Sequence, residues 1–128
     1  MENLNNQAVG AKPGITDRTV AYSLRILKFY RELRKEEVGR TIGRQLLRAA
    51  TSIGANVHEA QGAQSRADFI AKMSIAHKEA LETDYWLRLL EEEHFLWEET
   101  VSQLREETRQ LIKILASILL TSKERLPE

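Results

Sequence analysis

Three histidines, His58, His77 and His94, and nineteen carboxylates are the side chains with which this chain could bind a metal or move a proton. Helical bundles that hold two metal ions take a Glu from each of two helices and a Glu-x-x-His pair from each of the other two. One such pair is present, Glu91 with His94. The residues three before His58 and His77 are Ala55 and Ser74, so no second pair completes the set. The sequence therefore predicts no metal site. Cysteine is absent, which removes thiolate ligands, disulfides and cysteine nucleophiles together. Neither a nucleophile elbow, a phosphate-cradling glycine loop nor a triad pattern appears. Without a convergent constellation, no catalytic residue and no cofactor is expected, and the chain reads as a non-enzyme.

The remaining charged residues sort into pairs and rows. With about 100° between successive helical residues, His77, Asp84 and Arg88 share one flank of a helix, and Asp84 with Arg88, four apart, is expected to form an ion pair beside the core. Glu79 and Glu82 make an acidic strip suited to arginines on a neighbour. Arg40, Arg44 and Arg48, at successive steps of four, form an exposed basic row. Arg25, Lys28 and Arg31, with Arg34 and Lys35, add a second basic surface, and together these are the candidate phosphate contacts for RNA or DNA. Net charge is formally zero, which argues against a protein that coats nucleic acid through bulk positive charge. The distribution is less even: residues 1–50 hold ten Lys/Arg against five Asp/Glu, and residues 51–128 nine against fourteen. Such a split either presents one face to phosphates or lets two halves of a bundle attract each other. No base-stacking aromatic pattern accompanies the row, so sequence-specific reading of bases is not indicated.

Helices must position these groups. A chain of 128 residues suits one domain with one core. Residues 1–15 are polar and without periodicity, and are expected to be a disordered tail. Four apolar series follow. Val20, Leu24 and Leu27, beside Tyr22, Ile26, Phe29 and Leu33, predict a helix over about 17–35. Ile42, Leu46, Ala49, Ile53, Val57 and Ala60 predict one over about 40–61, after Gly39 breaks the pattern. Ser65 with Asp68 makes a capping-box pattern ahead of a helix over about 65–93, striped by Phe69, Met73, Ala76, Ala80 and Leu87. Val101, Leu104, Thr108, Leu111, Leu115 and Ile118 predict the last, over about 97–122, leaving 123–128 as a C-terminal tail. Both prolines, Pro13 and Pro127, fall outside these spans, and no strand-like alternation occurs. The expected fold class is all-α, an antiparallel up-down-up-down four-helix bundle.

Apolar residues exceed what one core needs. Ile75, Trp86, Leu89 and Leu90 point away from the Met73 stripe and are the expected oligomer interface; Ile112, Ile114 and Leu119 widen the last helix's seam. On the second helix Gln45, Ser52, Asn56 and Glu59 gather along one flank of the apolar stripe. They are expected to form a structural polar seam against a neighbour, with Asn56 and Glu59 bonding across the gap. No apolar run approaches the roughly 20 residues that cross a bilayer, so no membrane partner is expected. The opening MENLNNQAVGAKPG has no signal-peptide pattern, and a cytoplasmic protein is expected.

The blocks QLLRAATSIGANVHEA and DFIAKMSIAHKEALETDYWLRLL resemble the small bacterial four-helix-bundle family of the 23S rRNA intervening-sequence proteins. The likeness rests on a Gln-x-x-Arg-Ala-Ala-x-Ser-Ile-x-x-Asn block from Gln45 to Asn56, with Glu59 after it. It rests also on the Ser-Ile-Ala and Glu-x-x-Glu-x-x-Tyr-Trp-Leu blocks further on, and it extends over most of residues 18–122. The resemblance implies a ring-like homopentamer. It also implies either a link to intervening sequences of 23S rRNA genes or the role of a related group, accessory proteins of diversity-generating retroelements that bind the reverse transcriptase and nucleic acid. Those accessory proteins are markedly basic, whereas this chain is neutral. The leading expectation is thus a homo-oligomeric accessory protein associated with RNA or DNA. The alternative is a protein-interaction scaffold that binds no nucleic acid.

Overall fold

The computed structural model describes residues 14–93 and 97–125. The regular structure in them is helical: α1 (Ile15–Leu33), α2 (Glu37–Gln61), α3 (Arg66–Glu93) and α4 (Glu98–Glu124). Residues 1–13 and 126–128 of the expected tails, and His94, lie outside the described residues. Where the tails are described they are shorter than expected. Ile15 already belongs to α1, with Gly14 as its extended N-cap, and α4 continues through Lys123 and Glu124.

The helix ends have local causes. α2 begins at Glu37 because the Glu36 carboxylate accepts the Gly39 N–H at 2.7 Å and satisfies a first-turn donor. Gly39, expected as a breaker, therefore sits inside the helix. α1 stops at Leu33, short of the expected Lys35, where the Lys35 and Glu36 N–H groups turn back to the carbonyls of Glu32 and Leu33 at 3.2 Å. Ahead of α3 the Ser65 hydroxyl accepts the Asp68 N–H at 3.0 Å, and the Asp68 carboxylate accepts the Gln64 N–H at 3.2 Å. That exchange is a capping box displaced by one residue at its return bond.

α2 packs along α1 and α3, and α3 along α4; the seam between α1 and α4 is the sparsest of the four. The core joins Tyr22, Ile26, Phe29 and Leu33 to the α2 stripe, to Met73, Ala76, Ala80 and Leu87, and to the α4 series. Val20 and Leu24, expected on the inward stripe of the first helix, are instead 55% and 60% exposed. α1 carries two apolar stripes, and the one with Tyr and Phe buries more area, which decides the rotation.

Close approach of α1 and α2 explains the small residues of α2. A Cβ on Gly54 would meet the Thr19 Cβ at 3.2 Å, and one on Gly43 would meet the Tyr30 ring at 3.1 Å. Polar groups inside this packing are satisfied locally. The hydroxyls of Thr83 and Thr108 donate to the carbonyls of Glu79 and Leu104 at 2.7 and 2.6 Å. Because Thr108 spends its hydrogen on that bond, the Tyr22 hydroxyl is the donor in the buried Tyr22–Thr108 bond between α1 and α4. Burial pushes the Tyr22 phenol well above its ordinary pKa.

Candidate nucleic-acid interface

Arg25, Lys28 and Arg31 lie on the exposed side of α1, since the positions between them face the core. Among the described residues none of the three is in an ion pair. Their neighbours differ. Lys35 holds Glu32 at 3.3 Å, and Arg18 grips Glu107 in a two-pronged bond of 2.7 and 2.8 Å and also donates to Gln110. The hydrogen bond to Glu107 raises the Arg18 pKa further, so Arg18 is a clamp between α1 and α4.

The α2 row divides three ways. Arg44 is exposed and unpaired among the described residues, and Arg40 donates to the Arg34 carbonyl at 3.3 Å. Arg48 is committed: it meets Glu79 at 3.4 Å and also Glu82, the acidic strip of α3. Glu79 and Glu82 are three apart, on the side of α3 that faces α2, so one guanidinium reaches both. Arg25, Lys28, Arg31 and Arg44 remain as cations free to meet an external phosphate.

The expected Asp84–Arg88 pair does not form. Asp84 turns across the helix gap to Arg105 of α4, at 2.9 and 3.4 Å, and Arg88 bonds Glu92 on its own helix at 2.8 Å. Arg105 also takes Glu91 at 2.6 Å, so it binds two carboxylates and is held charged chiefly by Asp84. The physical reason is exposure. Arg105 keeps only 12% of its side chain accessible and gains more from desolvated partners than Arg88, which points to water. Glu91 is thereby spent, and its expected companion His94 lies outside the described residues. Among the described residues no three His, Asp or Glu side chains gather where a metal ion could be held.

The polar seam of α2 is half-realised. Glu59 does bond across to α3, through Lys72 at 3.1 Å. Asn56 does not: its amide donates to the Ser52 carbonyl and hydroxyl, at 2.8 and 3.1 Å, within its own helix. Gln45 is exposed and makes no such bridge among the described residues. Four-residue back-bonding is the local option always open to a short amide in a helix, and here it outcompetes the longer reach.

Of the expected oligomer surface, Leu90 is a correction, being only 6% exposed and part of the core. Ile75 is 42% exposed. Leu89 and Trp86 are half-buried, with the Trp86 indole donating to Glu82 at 2.9 Å and meeting Tyr85 edge-on at 5.1 Å. Leu81 and Tyr85 are also exposed and are not singled out by spacing. No described helix is long and apolar enough to cross a membrane.

Comparison with known proteins places these features in a lineage. The model of the 23S rRNA-intervening sequence protein family matches residues 14–117. A crystal structure of a protein of unknown function from the S23 ribosomal protein family of Bacteroides thetaiotaomicron VPI-5482 is 40% identical, with a TM-score of 0.78. The match covers 83% of this chain and 98% of that one. No curated protein matches the chain.

Proposed function

This chain belongs to the 23S rRNA-intervening sequence protein family, and from that membership we propose that it is a non-enzymatic, homo-oligomeric accessory protein that associates with RNA or DNA. The observation that carries the reading is that four of the candidate phosphate contacts are uncommitted. Arg25, Lys28, Arg31 and Arg44 stay exposed and outside ion pairs among the described residues, although carboxylates are as numerous as cations in the chain. Phosphates suit them best, which makes binding backbone-directed and salt-sensitive.

The helices are read as running up-down-up-down. Support comes from the order of contacts, in which Gly43 and Gly54 meet Tyr30 and Thr19, and Arg48 and Glu59 meet Glu79 and Lys72. Copies join through exposed positions of α3, where Ile75, Leu81 and Tyr85 present apolar area, and a ring-like homopentamer is the favoured assembly. The accessory role is in the cytoplasm, either supporting the reverse transcriptase of a diversity-generating retroelement or linked to 23S rRNA intervening sequences.

A filter-binding titration with structured RNA tests this reading. Retention is expected at low salt, and each phosphate contact removed by charge reversal at Arg25, Lys28 or Arg44 should reduce the salt slope by about 1. Absence of retention at low salt would remove the nucleic-acid half. A second reading, a protein-interaction scaffold, draws on the neutralisation of Arg48 by Glu79 and Glu82. Partners captured from nuclease-treated lysate would favour it, and partners lost on that treatment would favour nucleic acid.

A further inference from the structure

The sparse seam between α1 and α4 opens into a cleft of about 280 Å³. Its apolar wall is an aromatic pair: Phe29, buried, and Trp97, half-buried, meet edge-to-face with centroids 6.0 Å apart. Arg25 and Lys28 stand on its α1 rim, and Gln103 offers an amide from α4. Glu32 is also on the rim, with its charge offset by Lys35 at 3.3 Å. Trp97 is held at φ 61, a left-handed conformation that a bulky residue rarely adopts, and residues held this way cluster at ligand clamps. A second cleft, of about 740 Å³, follows the same seam toward Arg18 and shares Arg25 with the first.

We propose that this cleft binds a nucleoside phosphate, its base against the Trp97 indole, its phosphate on Arg25 and Lys28, and its base edge within reach of the Gln103 amide. The proposal rests on the nucleic-acid reading above and gives it a site. An aromatic face accepts any base by stacking, paired cations select for an anion, and an amide supplies one donor and one acceptor to a planar heterocycle. The volume lies near the lower end of small-ligand sites, about 300 Å³, which suits one nucleotide unit and not a helix. A duplex keeps its bases stacked inward, so the ligand is unpaired: a free nucleotide or one unit of a single strand.

Trp97 is itself the reporter. The chain has two tryptophans, so Trp86→Phe leaves Trp97 as the sole emitter. This full-length variant is titrated with adenosine monophosphate, a single-stranded oligonucleotide, the matching duplex and inorganic phosphate. Quenching by the mononucleotide assigns the free ligand, and quenching by the strand alone assigns a unit of nucleic acid; either supports the cleft. Arg25→Glu with Lys28→Glu, both on exposed positions, should weaken that response about tenfold or more with an unchanged circular dichroism spectrum. Trp97→Phe in the otherwise native chain should abolish it, which guards against a perturbation caused by Trp86→Phe. No quenching by either ligand, equal quenching by duplex or inorganic phosphate, or a response that survives the double reversal would overturn the proposal. RNA retained on filters with Trp97 silent would defeat the cleft and leave the broader function standing. Mononucleotide quenching without RNA retention would do the reverse.

Discussion

Replacing Gly39 by Ala separates two physical effects that act in opposite directions. Helix propensity alone favours Ala over Gly by about 0.8–1.0 kcal/mol in a helix interior. The packing says otherwise, because a Cβ at Gly39 would lie 2.4 Å from the Leu33 carbonyl oxygen and 3.2 Å from the Glu36 carboxylate that caps the helix. The Glu36 side chain can swing aside at the loss of its cap, whereas the Leu33 carbonyl is backbone at the end of α1 and moves only with the turn. Overpacking of this kind costs about 1–3 kcal/mol, and the lost cap about 1 kcal/mol more. The net expectation is a destabilisation of about 1–3 kcal/mol, or about 4–11 °C in Tm for a domain of this size. Gly62→Ala is the matched control. Its Cβ meets nothing closer than the Glu59 carbonyl at 3.8 Å, and its φ of −100° suits any residue, so it should be neutral or stabilising by up to about 1 kcal/mol. Urea denaturation at one fixed protein concentration reads both, with unchanged slopes confirming a common two-state transition. A Gly39→Ala protein as stable as the parent would refute the close-packed turn between α1 and α2.

The Arg105 node separates what the structure pairs from what helical spacing pairs. Arg105→Met strands half-buried Asp84 and should cost about 1.5–3 kcal/mol in the same denaturation assay. Arg88→Met should stay within about 0.5 kcal/mol, and equal costs for the two would contradict the assignment. Tyr22 provides a pH signature. With its folded pKa raised, the unfolded chain releases the Tyr22 proton first, so stability is complete below pH 10 and falls at higher pH. The slope is about 1.4 kcal/mol for each pH unit above tyrosine's ordinary value. Tyr22→Phe should remove that slope from the alkaline limb of a stability profile, and a parent profile already flat from pH 10 to 11 would count against it.

What was legible in the sequence follows from the range of the forces involved. The stripes of α2 and α4 could be read because apolar residues recur every three or four positions and meet one continuous core. Fold class and the order of elements followed from them. The rotation of α1 was harder, since Val20 and Leu24 compete with Tyr22, Ile26, Phe29 and Leu33 on one helix, and only burial area separates the two faces. Leu90 was displaced from its expected surface role for the same reason, α3 being apolar on more than one side. Side-chain partnerships were the least legible. Asp84 lies 21 residues from Arg105 and Arg18 lies 89 from Glu107, and spacing within a helix says nothing about pairs across a gap. The aromatic wall of the cleft is a case in point: Phe29 carried a core signal and Trp97 the signal of a helix start, and neither position hinted at the other.

Sedimentation velocity with a fluorescent single-stranded RNA tests the central claim most directly, because it reads assembly and nucleic-acid association together. At low salt the label is expected to move with a species several times the 14.7 kDa chain, and to return to the speed of free RNA as salt rises. RNA that sediments as free strand at low salt, beside a protein that remains a monomer at every concentration, would contradict it.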